Sequence, residues 1–312
     1  MKAILVSVDN GNKQTKTIGL NINEKMVYDS GYVESKEEPL IKEKLIKYRG
    51  MYYSIGQKRF PVLFDKTEND STFILTLPAI ANAIKSEKNY ASNVECEIIL
   101  AVGLPLSSFG KLKTTFANYF KRKVEFQYEG ITYLVNIKEV LVFPQGYAAY
   151  MQEIKAYKGV EVLVFDIGGY TVDCLKVKKD ATLDVGSIIC RYDGIITLFN
   201  SIQNELRKQN ISITEEQIQD LILKNQPIFI NEDIMNLVDI KTEKYVENLM
   251  NSLKEEGFDT SINPVIFSGG GALLLKSYLE KLESLKYYEF QDQFANSFGY
   301  KLLAEKSLLK DQ

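Results

Sequence analysis

The chain has 312 residues, more than one hydrophobic core ordinarily serves, so its length points to two domains; 45% hydrophobic and 11% aromatic content is enough to pack both. The 38 Lys and Arg against 41 Asp and Glu leave a net charge of -3, which gives no long-range field for nucleic acid or an anionic membrane, so neither is expected as a direct partner. There is no histidine, which excludes Ser-His-Asp and Cys-His nucleophile systems, HExxH zinc sites and the histidine-bearing catalytic loop of protein kinases.

Any catalysis must therefore come from carboxylates, amides, lysines and a metal ion. Cys96, Cys174 and Cys190 lie in apolar or β-branched segments without metal-type spacing and read as small core residues of a reduced protein. Residues 1–9 turn polar too soon for a signal peptide, and no apolar run reaches the roughly 18 to 20 residues of a spanning helix, so a cytoplasmic location is expected.

Along the chain, an apolar strand at residues 2–8 is followed by β-rich segments near 14–20 and 26–33 and by a hairpin at 44–55 that turns at Arg49-Gly50. Residues 71–88 read as a helix, with Ser71 as its N-cap, Ile74, Leu77, Ile80, Ala81 and Ile84 along one face, and Pro78 as an interruption. A buried strand at 94–102, an amphipathic helix at 107–121 and two strands near 123–142 lead to a helix starting after Pro144. The second half begins again with a strand at 160–166 and β-rich segments at 170–178 and 183–190. A helix at 194–209, more helices between 214 and 256, a strand at 263–267 and a helix from Ala272 follow. Three strands, helix, strand, helix thus occurs twice. The repeat places a first domain at 1–155 and a second from 156 onward.

A local repeat accompanies the architectural one. Residues 6–11, VSVDNG, and residues 163–168, LVFDIG, both put an Asp at a strand end with Gly two positions on. A triphosphate needs close backbone N–H groups, a cation and something to hold that cation. In Asp9-Asn10-Gly11-Asn12-Lys13-Gln14-Thr15-Lys16, a tight turn presents N–H groups as a nest, with Lys16 returning its ammonium. Asp166-Ile167-Gly168-Gly169-Tyr170-Thr171-Val172-Asp173 can do the same from the second half, and Asp9 and Asp166 would hold Mg²⁺ through its waters. Either motif alone is also what an ordinary turn contains. A third cluster, Ser268-Gly269-Gly270-Gly271-Ala272, joins a buried strand to an apolar helix, where a flat ring can lie against bare backbone.

The ordered set resembles the phosphate 1, phosphate 2 and adenosine motifs of the actin, sugar kinase and DnaK-type chaperone superfamily, and it frames nearly the entire chain. The resemblance implies an α/β actin-like fold, with two ribonuclease H-like domains flanking a nucleotide cleft, and ATP with Mg²⁺ as cofactors. Val142-Phe143-Pro144-Gln145-Gly146-Tyr147-Ala148-Ala149 is similar to the connecting segment of ParM-type plasmid-segregation actins. Gln145 stands where that type commonly has Glu and conventional actin has a Gln that positions the attacking water. An amide is no strong base, so Gln145 would orient water, with Asp166 sharing the catalytic centre through the metal.

Residues 293–300, QFANSFGY, resemble the second connection of the ParM type, which implies that the chain returns there to the first domain, so that about 295–312 completes domain I (1–155) and domain II is 156–294; a generic amphipathic helix would carry the same aromatics. Glu205 and Arg207 are placed beside the nucleotide, a solvated helix face being the alternative. The resemblance implies a filament of identical subunits and a DNA-binding adaptor of the ParR type. The alternatives are a small-molecule, sugar-type kinase of the same superfamily, although no additional Asp-bearing acceptor motif is visible, another bacterial, archaeal or phage actin that does not segregate plasmids, and a chaperone-type ATPase.

Overall fold

The computed structural model describes residues 3–19, 24–63, 65–87, 94–225 and 231–310. Residue 2 of the expected first strand, residue 20 of the second segment, residue 88 of the expected helix and residues 226–230 of the helical stretch lie outside these. The chain divides into two units, Met1–Glu153 with Phe294–Gln312, and Ile154–Gln293.

The first unit begins with β1 (Ile4–Asn10), β2 (Gln14–Ile18), β3 (Lys25–Asp29), β4 (Tyr32–Ser35), β5 (Leu45–Tyr48) and β6 (Met51–Ile55). It continues with α1 (Ser71–Lys85), β7 (Glu95–Leu104), α2 (Leu106–Phe120), β8 (Lys123–Tyr128), β9 (Ile131–Pro144) and the one-turn α3 (Tyr147–Tyr150). The second unit has β10 (Val162–Ile167), β11 (Val172–Val177), β12 (Ile189–Arg191), α4 (Ile195–Arg207), α5 (Glu215–Ile222), α6 (Glu232–Glu255), β13 (Val265–Ser268), α7 (Gly269–Leu279) and β14 (Tyr288–Phe290). The last helix, α8 (Ala295–Lys310), returns to the first unit.

The duplication indicated by the motifs extends to the topology. The first sheet runs β3-β2-β1-β7-β9-β8-β5-β6-β4 and the second β12-β11-β10-β13-β14. The five strands β3-β2-β1-β7-β9 match the second sheet in order and in sense. The meander β1-β2-β3, like β10-β11-β12, is antiparallel, and the next two neighbours run parallel to the central strand. The first unit extends this core by four strands, including the β5–β6 hairpin, whose Arg49 (φ 50°) and Gly50 (φ 78°) are both left-handed, as a two-residue turn between twisted strands requires.

Period-two alternation explains why β1 and β7 are apolar on both faces. Ile4, Val6 and Val8 of β1, with Ile98, Leu100 and Val102 of β7, join the core shared with α1 and α2. Leu5 and Ala101 face the other way, toward Tyr300, Leu303 and Ala304 of α8. Two glycines permit that second layer. A Cβ on Gly299 would lie 2.0 Å from the Ala148 carbonyl oxygen, and one on Gly103 2.0 Å from the Tyr300 hydroxyl. In the second unit Leu163, Phe165 and Ile167 of β10 pack with Phe199 of α4, Leu253 of α6 and Leu275 of α7. Cys96 and Cys174 are buried and Cys190 half-buried, all three as free thiols, and burial pushes the Cys174 thiol well up.

Four local expectations are corrected. Asp70, not Ser71, occupies the N-cap of α1. Its carboxylate makes no cap bond and instead pairs with Arg49 at 2.8 Å and Arg122 at 3.0 Å, while Ser71 N–H donates to Asn69 Oδ1 at 2.9 Å. Pro78 does not interrupt α1, which continues to Lys85 with Pro78 buried. The segment after Pro144 forms only one α-turn, because beyond it the bonding tightens to i−3 spacing: Glu153 N–H donates to the Tyr150 carbonyl at 2.8 Å. Helix α7 starts at Gly269 rather than Ala272, since Gly269 adopts φ +87° and turns the chain directly off β13.

Gly299→Ala should lower the unfolding free energy by about 1–3 kcal/mol, the usual scale of overpacking. The opposing gain in helix propensity is only about 1 kcal/mol. Urea denaturation followed by circular dichroism measures the difference; an equal or more stable variant would contradict the packing described for α8.

Candidate functional site

In the first unit the site is built at the end of β1. Asp9 is the penultimate residue of that strand and stands directly opposite Lys16 of β2, so both side chains leave the same face. Both are buried, with 7% and 8% of their surfaces exposed. Gln145, in the link between β9 and α3, sends its Nε2 to Asp9 Oδ1 at 3.0 Å, and its own N–H donates to the Leu104 carbonyl at 2.9 Å. Because Nε2 is held by the carboxylate, Oε1 is the end of the amide that can accept a hydrogen bond from water. Asp9 therefore orients Gln145 as well as carrying charge.

The turn that follows Asp9 is braced from the β3–β4 corner. Ser30 Oγ donates to the Gly11 carbonyl at 2.6 Å and lies 3.0 Å from Thr15 Oγ1, and Ser30 N–H donates to the Lys13 carbonyl at 2.9 Å. Gly11 is required here, since a Cβ would sit 2.6 Å from the Gln14 carbonyl oxygen. Gly11, Asn12 and Lys13 remain partly exposed. The side chain of Asn10 points instead toward α1, where Nδ2 donates to Thr76 Oγ1 at 3.0 Å. For Asn10 the structure thus places backbone, not amide, in the turn.

In the second unit Asp166 is likewise the penultimate residue of its central strand, but the residue opposite it on β11 is Asp173. Both carboxylates are buried, at 7% and 3% exposure. Asp173 Oδ2 accepts from Thr171 Oγ1 at 3.0 Å. The turn itself is knotted into the start of α4: Gly168 N–H donates to the Thr171 carbonyl at 2.8 Å, and the N–H groups of Gly194, Ile195 and Ile196 donate to the carbonyls of Tyr170, Gly168 and Gly169 at 3.0, 3.2 and 2.8 Å. These bonds occupy the first donors of α4. The ring of Tyr170 lies 5.5 Å from that of Tyr192.

The glycine cluster at the head of α7 closes on the same strand end. A Cβ on Gly269 would meet the Ile167 carbonyl oxygen at 2.4 Å and Asp166 Oδ1 at 2.5 Å, and one on Gly271 would meet the Ile167 carbonyl oxygen at 2.7 Å. Gly270 is half-buried between them, and Ala272 is buried in the core. Glu205 lies in the last turn of α4, where its carboxylate pairs with Lys208 at 3.1 Å and Lys241 of α6 at 3.7 Å; the Lys208 hydrogen bond holds it below the usual carboxylate range. Arg207 donates to Asn204 Oδ1 at 3.3 Å.

One residue that shapes the site was not singled out from the sequence, and another was read only as part of a motif. Gly194 is needed because a Cβ there would lie 2.6 Å from the Tyr170 carbonyl carbon, and its place directly before an apolar helical run was the available signal. Asn296 Oδ1 accepts the N–H of Gly146 at 2.9 Å, fixing the residue next to Gln145, whose φ is +71°. Asn296 lies in the 293–300 motif read from the sequence, but nothing in that local pattern pairs it with Gly146.

The model for the actin-like proteins' N-terminal domain matches residues 7–147, and that for the C-terminal domain of the MreB-like archaeal actin homologues matches residues 164–281. Together they span most of the chain. The chain belongs to the actin-like proteins. A pCBH ParM, a non-polymerisable quadruple mutant, superposes with a TM-score of 0.79 at 19% identity over 98% of this chain and 100% of its own. The archaeal actin homolog Ta0583 gives 0.75 at 18%, covering 97% and 99%. ParM of Bacillus thuringiensis, solved with ATP, gives 0.70 at 15%, covering 99% and 100%. At these identities the likeness is one of fold, and it establishes the actin-like fold for this chain. No curated protein sequence matches it.

In this actin-like chain Asn296→Ala should cost about 1–3 kcal/mol, the penalty of leaving the buried Gly146 N–H without an acceptor. Asn296→Asp, which keeps the acceptor, should cost less. Denaturant titration of the two variants in parallel measures the contrast, and equal losses would remove the bond from the account.

Proposed function

We propose that this actin-like chain binds and hydrolyses ATP with Mg²⁺ and assembles into filaments of identical subunits. The observation that carries the reading is the equivalence of Asp9 and Asp166: each is the penultimate residue of a central strand in a repeated five-strand topology, and each is followed by a glycine turn. In this reading the N–H groups of Gly11, Asn12 and Lys13 and those of Gly169 and Tyr170 cradle phosphates, with Lys16 adding charge. Asp9 and Asp166 hold hydrated Mg²⁺, which ordinarily takes one or two carboxylates besides phosphate. The half-buried backbone at Gly270 suits a flat base. Glu205 is a candidate for the ribose, for which it would have to exchange a lysine partner.

Hydrolysis is assigned to water oriented by Gln145 Oε1, while Asp9 holds the amide through Nε2. Phosphoryl transfer needs positioning and electrostatic stabilisation more than covalent help from the protein, so an amide is sufficient. The solved relatives agree with this reading: Ta0583 has been crystallised with ADP and a ParM with ATP. The biological role we favour is plasmid segregation through a ParR-type DNA-binding adaptor, in the cytoplasm, which suits a chain with a net charge of -3. No helix of the described residues is long and apolar enough to cross a membrane.

Light scattering and pelleting with Mg-ATP should rise above a critical concentration and fall as phosphate is released. Failure to assemble at any workable concentration would sink the filament reading, and transfer of the γ-phosphate to a small acceptor in place of water would replace it with a kinase. Gln145→Ala should slow phosphate release by about 10²-fold or more while sparing nucleotide affinity. A malachite-green assay beside a nucleotide titration separates the two, and unchanged turnover would remove Gln145 from the mechanism.

A further inference from the structure

The segment between β6 and α1 carries a lysine that sequence reading passed over. Lys66 Nζ donates to the carbonyl of Asn10, the residue that separates Asp9 from Gly11. Its direction is set locally, because Asp65 Oδ1 accepts from both the N–H and the Oγ1 of Thr67, at 2.8 and 2.6 Å, forming a tight turn around Lys66. The same segment is fastened beside the turn at its other end. Phe60 N–H donates to the Ser30 carbonyl at 2.9 Å and Gly56 N–H to the Gly31 carbonyl at 2.8 Å, and Ser30 is the residue that braces Gly11. Lys66, Asn10, Gly11, Asn12 and Thr15 line one cavity of about 30 Å³, room for about one water. A half-buried ammonium is thus held at the turn whose N–H groups lie next along the chain.

We infer that Lys66 is a positioning residue for nucleotide polyphosphate, a second cation that holds the Asn10-Gly11 backbone and adds positive potential to the turn alongside Lys16. The inference rests on the ATP-binding reading above. A carbonyl oxygen that accepts from an ammonium cannot also turn toward phosphate, so the bond keeps acceptors away and leaves the N–H groups to face the anion. The charge itself favours the more highly charged ligand, and ATP carries one more negative charge than ADP. Lys66 therefore contributes to the preference for triphosphate over diphosphate.

The test titrates a fluorescent ATP analogue and its ADP counterpart, with Mg²⁺, into the full chain and into two variants. Lys66→Gln keeps a donor for the Asn10 carbonyl and removes the charge; Lys66→Arg keeps the charge. A unit charge within about 7 Å of phosphate at an effective dielectric of about 20 changes affinity tenfold or more. Lys66→Gln should therefore lose about tenfold for ATP, lose less for ADP, and show a shallower salt dependence for ATP, with Lys66→Arg close to the parent chain. Equal weakening for both nucleotides, unchanged affinities, or a Lys66→Gln chain that fails to fold would each overturn the inference, the last because Lys66 would then be a structural tether. A parent chain that binds neither nucleotide would overturn the ATP reading itself.

Discussion

The close approach of α8 to α3, allowed by the missing side chain at Gly299, is the contact on which the first unit's site depends. It covers the second face of the central strands, where Leu5 and Ala101 would otherwise lack an apolar partner. The same helix start brings Asn296 to the N–H of Gly146, and Ser7 Oγ donates to the Ser297 carbonyl, so β1 and the β9–α3 link are held by one short stretch of chain. Gln145 and Asp9 belong to these two elements. Their 3.0 Å hydrogen bond is a consequence of how the last helix packs, although neither residue is on it.

The two units share a topology and differ in their electrostatics. Opposite the strand-end carboxylate the first unit has Lys16 and the second Asp173. Duplication of a fold has thus kept the strand-end carboxylate and changed the residue opposite it.

The glycines are also of two kinds. Gly269 and Gly271 are needed because β10 and α7 meet there without space for a Cβ, and Gly194 because the second turn bonds to the head of α4. These positions serve packing of the site's frame. Gly169 and Gly270 keep partial exposure and have backbone to offer a ligand, while Gly11 is exposed in part and also required by the approach of the Gln14 carbonyl. A glycine-rich motif read from sequence does not distinguish these uses, because both require the same absence of a side chain.

Much of the fold was legible locally. The repeated strand-Asp-x-Gly pattern, the apolar periodicity of the helices and the Arg49-Gly50 hairpin all depend on interactions within a few residues, and the structure has them. The starts of α1 and α7 were misplaced because they were settled by distant partners: Asp70 is drawn to Arg49 and Arg122, and Gly269 turns beneath Ile167. Gln145 was identified from its motif, but not its bond to Asp9; Asn10 was assigned to the ligand, and its amide is spent on Thr76. Lys66 has no motif of its own and acquires a place only when its segment is fastened beside Ser30. The sequence by itself determined the elements, their duplication and the residue types at each strand end, since backbone propensity and side-chain period act over short range. Tertiary structure alone decided which polar groups meet, because a hydrogen bond between residues more than a hundred positions apart exists only once both sheets and helices have packed.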